Sequence, residues 1–268
     1  MQTIYFEDGE CKFCGRKLKR KKLIFNIGNT EMKIDQELER CTCQSATKYW
    51  KLQDEKAERI KKEKEEWMKQ DRIRKLYEYS KINPRLKGYM FENFRTDELN
   101  RKALVKAKDY ADQVLFKKSK SLIITGNVGT GKTHLAASIA NYLIKNEVRV
   151  IFGTLINLLG EVKDTYKNDA ETESNIIERY SKVPLLIIDD LGKEKPSEWT
   201  LEKLFTIINN RYENNLPIVI TTNYNRDQLR ERLANNQNYI IADSIISRLY
   251  QMCSGISLKG SDKRKKLV

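Results

Sequence analysis

Short apolar runs of strand length punctuate the last two thirds of this chain. They are Ser121–Leu122–Ile123–Ile124–Thr125, Arg149–Val150–Ile151–Phe152–Gly153, Val183–Pro184–Leu185–Leu186–Ile187–Ile188, Pro217–Ile218–Val219–Ile220–Thr221–Thr222 and Ile256–Ser257–Leu258. Runs this short and this apolar read as buried strands. Between them lie helix-period segments. These are Asp97 to Lys117, His134 to Ala140, near Thr154–Lys167, near Thr172–Lys182, Glu198–Arg211 with Trp199, Leu201, Leu204, Phe205 and Ile208 inward, and Ile240–Met252. The first third has a different pattern. Leu23–Ile27 and Thr30–Ile34 read as two strands joined at Gly28–Asn29, a hairpin signal. From about Ser45 to Lys81 charge dominates, with acid–base partners at helical spacing (Asp54 and Glu58 against Lys62 and Arg59) and sparse apolar positions Leu52, Ile60, Trp67, Ile73 and Leu76. This predicts one long, mostly solvated helix, serving as a spacer or docking through its thin apolar stripe. Asn83–Pro84 ends it.

Composition adds a partner class. The 268 residues suffice for one large domain or two smaller ones. A formal charge of +14 favours an anionic partner, nucleic acid before anionic membrane, with a basic protein lacking any polyanion as the plain alternative. No apolar run approaches 18 residues, so no membrane-spanning helix is expected. The start Met1–Asp8 reads as no signal peptide, and a reducing, cytoplasmic setting is expected.

The chemistry concentrates in a few stretches. Gly126–Asn127–Val128–Gly129–Thr130–Gly131–Lys132–Thr133 stands between a strand and a helix, the context of a P-loop. Its glycines let backbone N–H groups face phosphate oxygens, Lys132 is placed to reach the β- and γ-phosphates, and the Thr133 hydroxyl is a Mg²⁺ ligand. His134, the single histidine, follows directly. It is a cofactor-site neighbour by position and reads as helix packing rather than catalysis. Asp189 and Asp190 end a core strand, the Walker B pattern, with Asp189 holding Mg²⁺ through water and Asp190 polarising the attacking water. Asn223, at the end of the next strand, is placed to orient that water or simply to make a strand-end hydrogen bond. Cys11, Cys14, Cys41 and Cys43 suit tetrahedral Zn²⁺, although Cys41–Thr42–Cys43 is tighter than the usual spacing and free thiols or a redox pair are the alternative. Tyr89, Phe91 and Phe94 crowd a loop that packs near a bound adenine or simply docks the linker. Lys163, Lys167, Arg179 and Lys182 form either a solvated face or a nucleic-acid contact. Cys253 reads as a buried thiol.

Taken together, Gly-Asn-Val-Gly-Thr-Gly-Lys-Thr-His-Leu-Ala, Leu-Leu-Ile-Ile-Asp-Asp-Leu-Gly, Thr-Thr-Asn and Ser-Arg-Leu, in that order, resemble the AAA+ ATPases of the DnaC/DnaI helicase-loader group and its IstB relatives. Residues 87–94 resemble the segment before that group's ATPase core. The resemblance covers roughly Pro84 to Lys259. It implies an α/β, Rossmann-like P-loop core with a central parallel sheet and Mg²⁺-dependent ATP hydrolysis. Asn223 matches sensor I, and Arg248 an arginine finger acting in trans on a neighbouring subunit. The helices after Gly153 match an insertion that faces single-stranded DNA. About 20 residues follow Arg248, too few for a helical lid, which leaves a sensor II residue unassigned. The cysteines resemble the zinc module of DnaI-type loaders. The expected organisation is a zinc module at 1–45 that holds the helicase, a helical linker at 46–83 and an AAA+ domain at 84–268. The implied function is loading of a DnaB-type hexameric replicative helicase onto single-stranded DNA. An IstB-like ATPase regulating a transposase, or a nucleotide-gated adaptor, are the alternatives.

Overall fold

A computed structural model of the chain describes residues 2–27, 30–116, 120–166, 171–235 and 238–263, with 2–8, 21–27 and 30–38 described by their backbone. The expected turn at Gly28–Asn29, Lys167 and the tail beyond Lys263 lie outside the described residues. The chain divides into two compact units, Met1–Gln70 and Asp71–Val268.

In the first unit β1 (Gln2–Glu10), β2 (Lys17–Ile27) and β3 (Thr30–Leu38) form an antiparallel sheet in the order β1-β2-β3. The two expected strands are present, longer than their apolar cores, and pair at Ile27 opposite Thr30. The further strand β1 pairs with β2 across Ile4–Lys22. Helix α1 (Gln44–Ser80) covers the charged stretch. Glu58 bonds Lys62 at 3.0 Å as its spacing predicts, while Asp54 takes Arg40 rather than Arg59 as partner. Leu52, Ile60 and Trp67 of α1 are exposed. The unit's small buried cluster is Cys11, Leu18, Cys41 and Ala46, with Cys43 and Trp50 against it.

The division into units falls inside α1 because its last turns belong to the second core: Ile73, Leu76, Tyr77 and Tyr79 pack there. After a 3-10 turn at Pro84–Gly88 and a loop comes α2 (Arg101–Leu115). It begins four residues later than its apolar pattern suggests, because the Asp97 and Asn100 side chains each accept the other's backbone N–H and close a turn. Next come β4 (Ser121–Gly126), α3 (Lys132–Lys145), β5 (Val150–Thr154), α4 (Leu155–Asp164), α5 (Glu173–Lys182), β6 (Leu185–Asp189), α6 (Glu198–Glu213), β7 (Ile218–Thr222), α7 (Arg226–Ala234), α8 (Tyr239–Met252) and β8 (Cys253–Leu258). Thr154, Thr172, Ser197 and Asn225 cap α4 to α7 by accepting a backbone N–H.

The five strands β4 to β8 are parallel, in the order β5-β6-β7-β4-β8. Strands buried on both faces need helices on both faces. One face carries α2 and α3 over Leu122, Ile124, Phe152, Ile187 and Val219. The other carries α4 to α8 over Ile123, Ile151, Leu186, Ile188, Ile218 and Ile220. The α/β P-loop architecture with a central parallel sheet is therefore present. No helix among the described residues is long and apolar enough to cross a membrane.

Candidate nucleotide site and cysteine cluster

Strand order decides what meets at the carboxyl edge of the sheet. β7 lies between β4 and β6, with Thr125 level with Thr222 and Ile188 level with Ile220. The next residues along the three strands are Gly126, Asn223 and Asp189–Asp190. Ligands of open parallel sheets bind at this edge.

The loop after β4 takes backbone conformations that its glycines permit: φ is +152° at Gly126, +78° at Gly129 and +100° at Gly131. A Cβ at Gly126 would strike the Leu258 carbonyl, and one at Gly131 would lie 2.9 Å from the Phe94 ring. Thr130 Oγ1 and Lys132 Nζ both donate to the Asn127 carbonyl at 2.8 Å. Lys132 is buried, so its ammonium stays within the loop and would exchange that carbonyl for phosphate oxygens. Val128, at the tip, is exposed.

Thr133 Oγ1 lies 3.1 and 2.9 Å from the two carboxylate oxygens of Asp189. Thr221 Oγ1 donates to Asp189 Oδ1 at 2.6 Å and accepts the Asp190 N–H at 2.9 Å. Burial pushes the Asp189 carboxyl above its ordinary range, and Asp190 adds to this; the threonine bonds and Lys132 oppose it. A buried carboxylate with too little positive charge beside it favours a cation. Thr133 and Asp189 are the residues that would hold Mg²⁺. Asp190 has φ +56°, held by the Thr221 bond and by its own carbonyl, which accepts from Lys193 N at 3.1 Å. Asn223 Oδ1 is buried with no hydrogen-bond partner among the described residues. It lines a cavity of about 570 Å³ shared with Gly126, Asn127, Arg226 and Tyr250. A larger groove of about 910 Å³ runs between α5 and α6 and is lined by none of these residues.

His134 is a packing residue. Its ring stacks on Tyr89 at 4.4 Å and meets Phe94 edge-on at 5.2 Å. Its Nε2 lies 3.0 Å from both the Met90 carbonyl and Asn93 Oδ1. A carbonyl only accepts, so Nε2 carries the proton. Burial, with the Lys263 charge beside it, lowers the His134 pKa against the Met90 bond that raises it. Phe91 and Phe94 are buried, so the aromatic loop docks on α3.

Arg248 meets none of these groups in its own chain. It donates to Asn209 Oδ1 at 2.8 Å and to the Ser244 carbonyl at 3.1 Å, over the Phe205 ring at 4.9 Å. The basic residues of α4 and α5 have partners too. Arg179 bonds Glu161 at 2.6 Å and Glu171 at 2.8 Å, Lys182 pairs with Glu178, and Lys163 lies 5.2 Å over the Trp199 ring. Cys253 is half-buried rather than buried as expected, and desolvation raises its thiol to about 12. Thr221 is a further site residue, bonded to both acids, that no expectation from the sequence includes. Its signal was its place in Thr-Thr-Asn, one strand over from the acids.

In the first unit the four cysteine sulfurs lie within 4.8 Å of one another. Cys11 and Cys43 are 3.9 Å apart, and Cys14 and Cys41 are 3.5 Å apart. Four sulfurs about 2.3 Å from a tetrahedral ion are separated by about 3.8 Å, so the set fits. The short Cys41–Thr42–Cys43 spacing is accommodated because Cys43 sits at the start of α1, where its sulfur accepts the Ala46 N–H at 3.4 Å. Gly15, at φ +69°, turns Cys14 back, and its N–H bonds the Cys11 carbonyl at 2.8 Å. The backbone N–H of Phe13, with that of Cys14, lowers Cys11 to about 7. The Arg16 N–H lowers Cys14, but the neighbouring sulfurs outweigh it and raise it to about 12. Without a cation the Cys14 thiol therefore keeps its proton beside the more acidic Cys11.

Over residues 33–267 the chain matches the model of the family "IstB-like ATP binding protein". It is 30% identical over 163 residues to the replicative helicase loader DnaC of Escherichia coli K12, covering 60% of this chain and 66% of that protein's length. A crystal structure of DnaI aligns with a TM-score of 0.57 at 27% identity, covering 67% of this chain and 95% of that one. Domain III of the Thermotoga maritima replication initiation protein DnaA aligns with a TM-score of 0.54 at 30% identity, covering 68% of this chain and 70% of that one. With the phosphate loop, the paired acids and the five-stranded parallel order in place, the match across most of its length shows that this chain belongs to the family of IstB-like ATP-binding proteins.

Proposed function

We propose that this protein is an ATP-dependent loader that delivers a hexameric, DnaB-type replicative helicase onto single-stranded DNA. The observation that carries this over a transposase helper is the four-sulfur cluster, joined by the charged α1 to a DnaC-like ATP-binding unit. In this reading the cysteines hold Zn²⁺, and the module at 1–45 with the linker at 46–83 engages the helicase. The AAA+ domain at 84–268 binds ATP, Mg²⁺ and DNA in the cytoplasm. The phosphate-loop N–H groups and Lys132 bind the polyphosphate, Thr133 and Asp189 hold Mg²⁺, and Asp190 with Asn223 orients the attacking water. The orphaned Asn223 oxygen is a ready acceptor for a water proton. Arg248, remote from its own phosphate loop, would complete the site of a neighbouring copy, so turnover requires self-association. DNA binding rests on the cations of the +14 surface, where exposed pairs such as Lys182 with Glu178 are weak enough to yield to phosphate. Co-purification with a DnaB-type helicase tests the reading. Retention of the helicase with ATP and its release on turnover is expected. Failure to bind it in either nucleotide condition, with the cysteine cluster metal-loaded, refutes the loader.

A further inference from the structure

The segment after β8 crosses the outside of the phosphate loop. Lys263 N–H donates to the Gly129 carbonyl at 3.1 Å. The Asp262 side chain lies against Gly129 so closely that a Cβ there would collide with its carboxyl group and come within 2.9 Å of its Cα. The Lys263 ammonium lies 3.5 Å from Asp97 and 5.1 Å over the Phe94 ring, and it donates to the Arg95 carbonyl. Phe94 in turn packs under Gly131. Two of the three loop glycines are thus braced from outside, one by this segment and one by the aromatic that the segment covers.

The bracing bears on affinity. Fixing a residue's backbone costs conformational entropy, and glycine loses more freedom than any other residue. The inward-facing N–H groups grip phosphate only when Gly129 and Gly131 hold positive φ. A carbonyl pinned from outside, with a carboxyl packed on the α-carbon, settles that conformation before the ligand arrives. Preorganisation of this kind raises affinity without touching the ligand.

We propose that Asp262 and Lys263 are positioning residues for the phosphate loop, clamping Gly129 from outside so that its N–H groups are set for a nucleoside triphosphate. The proposal rests on the ATP-binding reading of the loop. By reciprocity, nucleotide must hold the segment down by the same factor that the segment tightens nucleotide.

The test uses the full chain and a fluorescent ATP analogue with Mg²⁺. Lys263→Ala keeps the backbone donor and weakens binding about two- to threefold, whereas Lys263→Pro removes it and weakens binding about tenfold, with the unfolding midpoint of the second unit unchanged. Nucleotide slows amide exchange at Lys263. Gly129→Ala weakens binding, because its Cβ would meet both the Asp262 carboxyl group and the Asp262 Cα at a strained positive φ. Binding by Lys263→Pro within twofold of the parent, or a fall in affinity matched by a fall in the unfolding midpoint, overturns the clamp. A parent chain that binds no ATP, and behaves as Lys132→Ala does, overturns the underlying reading and the clamp with it.

Discussion

Replacing Thr221 by Val keeps the shape of the side chain and deletes one oxygen, which makes two hydrogen bonds at the centre of the acid pair. It donates to the buried Asp189 carboxylate at 2.6 Å and accepts the Asp190 N–H at 2.9 Å. Thr221 is fully buried, so water does not readily replace it. A hydrogen bond to a charged group contributes about 1.5–3 kcal/mol, and an orphaned buried donor costs about 1–3 kcal/mol. Asp189 keeps its bonds to Thr133 and can take up a proton, so the lower half of each range applies and the loss is about 2.5–4 kcal/mol. Thr221→Ser keeps the oxygen, loses one methyl and costs about 1 kcal/mol. Urea unfolding of the nucleotide-free chain, followed by Trp199 fluorescence with Trp50 and Trp67 replaced by Phe, reads the second unit. Mg²⁺ with ATP recovers part of the Thr221→Val loss, because the cation supplies the charge that the hydroxyl no longer offsets. A Thr221→Val loss below about 1 kcal/mol, or a Ser variant as unstable as the Val variant, refutes the assignment of Thr221 as the support of both acids.

The purified chain should carry about one equivalent of zinc by elemental analysis, and Cys43→Ala should lose both the metal and the fold of the first unit; less than about half an equivalent in the parent counts against the cluster. Lys132→Ala should abolish ATP binding, whereas Asp190→Asn should retain it and lose turnover, and helicase release that continues normally in Asp190→Asn would show that hydrolysis is not the working step. The lowered His134 pKa sets a pH dependence. Above about 6.5 both folded and unfolded states carry a neutral ring, while below it the unfolded chain takes up a proton that the folded one resists, so stability falls as pH drops from 6.5 towards the folded value. His134→Gln should flatten that slope in urea titrations from pH 7.5 to 5, and an unchanged slope would assign the dependence to other groups.

The phosphate loop and the acid pair are legible in the sequence because their chemistry is local: fixed spacing, a strand before and a helix after. The long α1 is legible for the same reason, as charge spacing alone predicts it. β1 is less so, since an edge strand held by backbone pairing to β2 needs no apolar run. α7 buries only Leu229, Leu233 and Ala234 of its nine residues, too thin a stripe to stand out. Cys253–Gly255 extends β8 because β4 lies beside it, not because those residues favour a strand. The contacts of Thr221, Phe94 and Lys263 join residues far apart in the chain, and no local pattern encodes them.

The placement of β7 between the phosphate loop and the acids has a consequence for how the site can be adjusted. Neighbouring strands lie about 4.8 Å apart, so β4 and β6 stand about 9.6 Å apart, a span fixed by two rows of main-chain hydrogen bonds. Side-chain substitutions in the sheet leave that gauge untouched. What remains adjustable lies outside it: the loops that leave the strand ends and the segment draped over Gly129. Any regulation of the proposed ATP site would therefore act at the rim, on a bed of constant width.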